Sequence, residues 1–175
     1  MTNFQKVADM NVAFGNPKGD PKESDIIRLR KQCLNIVDEL AELMIAMGAD
    51  SQAMKSTAGQ FKQLACQITR PVSINGIRDG LCDIHVFAYG AHHFMGIDAD
   101  EDMGAVLNGV MTRFIKDAED KQLTIDLHAR KGVTDVYFEG EYPTMVMKSA
   151  SDQPDAPKGK FLKSFSYSDT VFAPI

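Results

Sequence analysis

Between Cys33 and Met47 the chain reads CLNIVDELAELMIAM, an apolar run that carries three carboxylates. At about 100° per residue, Asn35, Asp38, Glu39 and Glu42 fall on one narrow stripe of a helix. A surface helix ordinarily has the reverse proportions, an apolar stripe on a polar cylinder. Like charges at this spacing repel one another. Burying them is costlier still unless something positive neutralises them. A second apolar segment, Ile77 to Met95, places Asp79 and Asp83 four residues apart and therefore on one face, which Val86, Gly90 and His93 continue. Gly90 leaves room there for the close approach of a helix or a ligand. Neither stripe contains a lysine or an arginine. Packed stripe to stripe, the two helices would form a cluster of four or five acids. Hard divalent cations take such a setting of oxygen ligands and excess negative charge. No Cys/His set has the ligand spacing of a zinc site, so Mg²⁺ or Mn²⁺ is expected.

Each acidic pattern taken singly reads as a solvated helix edge. Their joint occurrence on the two most apolar segments is what points to a metal site. His85 and His92, in line with Arg78 on another face of the second segment, read as structural or interface residues. The ten methionines read as core fillers.

The elements that must position these acids follow from the punctuation of the chain. Phe4–Phe14 reads as a short helix ended by Gly15 and the turn residues NPKGDP. A long helix is predicted from Ser24 to Met47, stopped at Gly48, and another from Ser51 to Ile68, broken by Pro71 to Asn75. Ile77–Met95 is stopped at Gly96. Asp100–Lys121 reads as one last helix, with Met103, Val106, Leu107, Val110, Met111, Phe114 and Ile115 at helical spacing. The period then changes. Val133–Glu139 and Tyr142–Lys148 alternate around Gly140, which predicts a β-hairpin. Ser149 to Ile175, rich in Pro, Ser and Lys, is expected as an irregular arm laid over the helices or over another subunit.

A length of 175 residues allows one domain with a real core, and 44% hydrophobic and 25% charged residues are ordinary for a globular chain. The net charge of −5 disfavours stable nucleic acid binding. Cys33, Cys66 and Cys82 show no paired spacing and lie in apolar surroundings, which predicts buried thiols in a reducing compartment. No signal-peptide pattern and no membrane-spanning run is read, so a cytoplasmic protein with no membrane partner is expected.

In this order, FQKVADMNVAFG, DELAE, DGLCDIHVFAYGAHHFMGID and MTRFIKD resemble the all-α nucleoside triphosphate pyrophosphohydrolases of the MazG-like type. The likeness is to the phosphoribosyl-ATP pyrophosphohydrolase-like branch that bacteriophages often encode. The closing PKGKFLKSFSY is similar to the lysine-rich tail of that branch. The resemblance implies a helical bundle of four to five helices with a short C-terminal β-hairpin and an irregular tail. It divides the chain into a catalytic core over residues 1–121 and an arm over 122–175. It implies Mg²⁺-dependent cleavage of a nucleoside triphosphate to a monophosphate and pyrophosphate, with two or three ions per site, in a homodimer or homotetramer. A purine substrate such as dGTP or GTP, and the host cytoplasm if the protein is phage-encoded, come from the same resemblance.

Residue by residue, the family's Glu-Glu-x-x-Glu falls on Asp38, Glu39 and Glu42, and its second acidic pair on Asp79 and Asp83. Asp38 is one methylene shorter than the family's glutamate, and Gly80 stands where the family often has the first acid of that pair. The stretch STAGQFKQLACQITRPVSING lengthens the spacing between the motifs, and Val110 stands where the family often has an asparagine. Glu39, Glu42, Asp79 and Asp83 are then the expected metal ligands. Asp38 or Glu39 is expected to take the proton of the attacking water. Arg113, Lys116, Lys160 and Lys163 are candidate phosphate contacts, and each reads equally well as a solvated cation. Asn11 and Phe14 are candidates for the base pocket, ahead of Phe87 and His93.

Cys33–Met47 and Ile77–Met95 also carry more apolar face than a short bundle can hide, which predicts packing against a second copy. Two other functions fit the same helices. One is a metal phosphohydrolase acting on a signalling nucleotide. The other is a non-catalytic helical interaction protein.

Overall fold

The computed structural model describes residues 1–67 and 69–174. Ile68, where the sequence places the end of the third helix, and Ile175, where it places the end of the arm, lie outside the described residues. The chain is mostly helical, with a small antiparallel sheet, and it divides into two compact units: residues 19–82, and residues 1–18 together with 83–175. No helix among the described residues is long and apolar enough to cross a membrane.

The unit of residues 19–82 is built on two helices. The first helix of the chain, α1 (Asn3–Ala13), belongs to the other unit. Here α2 (Ile26–Ala46) starts at Asp25, whose carboxylate accepts from the Arg28 amide. It ends at Met47 and Gly48, and Gly48 has φ +99°, a conformation that favours glycine. Asp50 then caps α3 (Ser51–Ala65) by accepting from the Ala53 amide. The two helices pack on each other. The burial is slight: α2 has no fully buried residue, and Ala58 is the only one on α3. Leu40, Leu43, Met47, Phe61 and Leu64 are all more than half-exposed or close to it. The first turns of α4 (Ile74–Met95) complete this unit.

The other unit holds almost all of the buried core. It contains α1, the remainder of α4, α5 (Ala99–Met111), α6 (Ala118–Ala129) and a sheet of three short strands. The sheet has the order β1 (Val136–Glu139), β2 (Val146–Ser149), β3 (Phe161–Leu162), both pairings antiparallel, with Glu139 opposite Val146 and Met147 opposite Leu162. Ile115, Val133, Met147, Ala156 and Leu162 form the core, with Ile125, Val136, Phe138 and Met145 packed around it. Phe14, at the end of α1, stacks on Phe114 with ring centroids 4.6 Å apart and meets Phe161 edge-on at 5.2 Å.

The structure departs from five expectations. Asp100–Lys121 is not one helix: α5 ends at Met111 and α6 starts at Ala118. Phe114 and Ile115 leave the helical path to become completely buried, and Ile115 forms a β-bridge with Met145. Asp117 restarts the helix by accepting from the Asp120 amide at 2.8 Å. Both hairpin strands start later than expected: β1 at Val136, because the Thr134 and Asp135 amides are taken by the Gln153 side chain, and β2 at Val146, because the turn before it runs on past Pro143. The arm after Ser149 is not wholly irregular, because it supplies β3 and the buried residues Ala156, Leu162 and Ser164. Finally, Cys66 and Cys82 are exposed rather than buried, and among the methionines Met47, Met95, Met103 and Met111 are exposed while Met147 is in the core.

Candidate functional site

The acidic stripe of α2 lies within the unit of residues 19–82, along with Asp79 at the start of α4, whereas Asp83 belongs to the other unit. Asp38 differs from its neighbours. Both of its carboxylate oxygens accept from the Lys62 ammonium of α3, at 2.7 and 2.8 Å. The sequence shows no cation on either stripe, yet the packing of α3 on α2 brings one to it. Asp38 therefore ties two helices together. Glu39, Glu42, Asp79 and Asp83 are exposed, and none is within ion-pair distance of a cation among the described residues. No group of three or more His, Cys, Asp and Glu side chains stands together in a metal-holding arrangement among the described residues. The donor chemistry of the four unpaired acids is oxygen only, which is what Mg²⁺ accepts. At Gly90 a Cβ would meet nothing within 4 Å, so the space the glycine leaves is open.

The candidates for base and phosphate contacts occupy other settings. The Asn11 side-chain amide donates to the Val7 carbonyl of its own helix at 2.9 Å. Phe14 is engaged by Phe114 and Phe161, so its ring is part of the packing of α1. Phe87 is exposed on α4. His93 is exposed beside Phe94, and His92 places Nδ1 3.0 Å from the Ala88 carbonyl. Lys116 is exposed, and its amide donates to the Asp120 carboxylate. Arg113 and Lys163 converge on one ring. The Lys163 ammonium lies 3.7 Å and the Arg113 guanidinium carbon 5.7 Å from the centre of Tyr167. The Lys160 ammonium donates to the Asp155 carbonyl.

A network that the sequence does not announce holds these cations. His128 Nε2 is 3.0 Å from the Lys163 carbonyl. Ser164 Oγ donates to the Thr112 carbonyl at 2.7 Å, and the Ser164 amide donates to the Arg113 carbonyl. The Phe165 amide donates to Thr124 Oγ1, and Ser166 donates through its hydroxyl to Asp120. Asp120, Thr124, His128 and Ser164 are all buried polar groups, and each finds its partner in the segment after β3 or in the break before α6. The only hint in the sequence is the Asp-x-x-Asp of Asp117 and Asp120 at a helix start. No pattern in the sequence marks Lys131 either. It stands one turn past His128, beside Lys160 and Lys163 on the wall of a cleft of about 540 Å³.

No protein-family model, no curated protein and no solved structure matches this chain.

Proposed function

We propose that the protein is a Mg²⁺-dependent nucleoside triphosphate pyrophosphohydrolase of the MazG-like type, releasing a nucleoside monophosphate and pyrophosphate. One observation carries the reading: the oxygen-donor acids Glu39, Glu42, Asp79 and Asp83 are exposed, with no cation within ion-pair distance among the described residues, on two long helices that bury no residue fully. Exposed acids of one sign on apolar helices are retained at a cost, and a divalent cation is the partner that offsets it.

In this reading Glu39, Glu42 and Asp79, all in the unit of residues 19–82, would hold Mg²⁺, and the chemistry it would supply is neutralisation of charge on the α-phosphate and on the leaving pyrophosphate. Glu39 is the acceptor of the water proton as the water oxygen attacks the α-phosphorus and the bond to the β-phosphate breaks. Asp38 is not given that role, because its oxygens are already committed to Lys62. The apolar surface of α2 and α4, from Leu40 and Leu43 to Phe87 and Phe94, is assigned to a second copy of the chain. A stable pair of protomers buries on the order of 1,600 Å² in total. A homodimer, or a homotetramer built from dimers, would cover such surface.

The test is a panel of ribo- and deoxyribonucleoside triphosphates with Mg²⁺ or Mn²⁺, scored for pyrophosphate. Pyrophosphate with a matching monophosphate supports the reading. Orthophosphate would point to a different phosphohydrolase. Absence of turnover across the panel would leave the helices with an interaction role.

A further inference from the structure

The cleft of about 540 Å³ described above lies wholly within the unit that holds the core, between the end of α6 and the segment running through β3. Its wall carries Lys131, Lys160 and Lys163 with a single carboxylate, that of Asp155. This local excess of positive charge stands in a chain whose net charge is −5. Two lysines outside the cleft pair with acids, Lys62 with Asp38 and Lys148 with Glu139. Lys131 and Lys163 have no carboxylate within ion-pair distance among the described residues.

Solvated lysines would extend into water. Two of these fold back onto the cleft instead, Lys163 over the ring of Tyr167 and Lys160 onto the Asp155 carbonyl. Arg113 stands behind that ring, 5.7 Å from its centre, and does not itself line the cleft. The walls are fixed: His128 is bonded to the Lys163 carbonyl, and Leu162, Ala156 and Val133 behind them belong to the core. A preformed cleft spends little of its binding energy on ordering. Its volume falls in the range of small-ligand sites, and Phe161 and Phe165 add apolar wall beside the cations. Three lysines in one concavity do not make the extended basic stripe that a nucleic acid backbone requires.

We propose that this cleft binds the phosphoryl groups of a small phosphorylated molecule of nucleotide size, with Lys131 and Lys163 as the principal charge contacts. The proposal rests on the pyrophosphohydrolase reading only for the choice of a nucleoside triphosphate as probe. Shared phosphoryl chemistry also admits inorganic pyrophosphate, so both are tested.

The experiment is titration calorimetry on the full chain in EDTA, so that no divalent cation is available to the acids of α2 and α4. The probes are ATP, inorganic pyrophosphate and adenosine. ATP is expected to bind, adenosine is not, and added salt is expected to weaken the binding. Pyrophosphate binding as tightly as ATP would assign the site to the phosphoryl groups alone. Tighter ATP binding would add the Phe161 and Phe165 wall. The Lys131→Gln/Lys163→Gln double variant is expected to lose at least tenfold in affinity while its thermal unfolding stays that of the wild type, since both side chains are exposed. Lys158→Gln, outside the cleft wall, is expected to change nothing. Absence of ATP binding, or unchanged affinity in the double variant, overturns the proposal. The same titration on Glu39→Gln separates the two readings: cleft binding is retained there even if the protein hydrolyses no nucleotide.

Discussion

Asp38 and Glu39 are adjacent in sequence and chemically alike, yet their surroundings give them different work. Lys62 holds Asp38 in a pair whose side chains are 34% and 47% exposed, and such a pair contributes no more than about 1 kcal/mol. Glu39 has no such partner. Asp38→Asn is therefore expected to cost little stability and to leave most of the pyrophosphate-releasing turnover. Glu39→Gln and Glu42→Gln are expected to lower turnover by about 10²-fold or more. Equal losses in all three variants would return Asp38 to the catalytic group. A second residue-scale prediction concerns Gln153. Its carbonyl accepts from the Thr134 and Asp135 amides, and its amide donates to the Asp135 carbonyl and to Ser149 Oγ. Gln153→Ala removes all four bonds and leaves the buried Ser149 hydroxyl with fewer partners, so a loss of about 2–3 kcal/mol is expected in denaturant unfolding. Gln153→Glu should be nearly as harmful, because it keeps the acceptors and loses both donors. The acids of α2 were legible because charge on an apolar helix violates a pattern. Gln153 was not legible, because a lone glutamine in a loop violates nothing.

At the scale of elements, periodicity located the long helices to within a few residues, since Gly48, Gly96 and the Asp caps punctuate them. It failed at the join between α5 and α6. Phe114 and Ile115 continue the spacing of Leu107, Val110 and Met111, so a pattern that registers only hydrophobicity extends the helix through a break that tertiary packing imposes. It failed again at β3, which is too short to show alternation and is held by its partner β2. The same crowding explains Gly109. A Cβ there would lie 2.9 Å from Thr170 Oγ1 and 3.4 Å from the Thr170 backbone, so the segment after β3 crosses α5 at this point. Thr112 Oγ1 fixes the crossing by accepting from the Ser168 amide at 3.0 Å. Gly109→Val is expected to push the segment off the helix, at about 1–3 kcal/mol. Proteolysis would read this as a new cleavage between Ser166 and Thr170, and an unchanged digestion pattern would count against the crossing as a stabilising contact.

For the molecule as a whole, the distribution of burial is lopsided. Long helices that bury nothing fully coexist with a compact core made from residues far along the chain. Phe87 is 76% and Phe94 90% exposed, values that favour association in water. Light scattering at micromolar concentration is expected to give at least the mass of a dimer. Phe87→Glu together with Phe94→Glu should shift the mass towards that of one chain without unfolding the core. A wild-type protein that stays monomeric would remove the second copy from the proposed site. The sequence made this surplus of apolar surface legible, but it did not separate surface that the core would cover from surface left open. The placement of the core has a consequence for biogenesis. Phe14 leaves the ribosome early, while Phe114 and Phe161, the rings it stacks against, are synthesised much later. A chain that folds as it emerges cannot complete the packing of its first helix until the strand bearing Phe161 is out of the exit tunnel. During that interval α2 and α4 are already free to meet helices on a neighbouring nascent chain, so assembly can begin before the core closes.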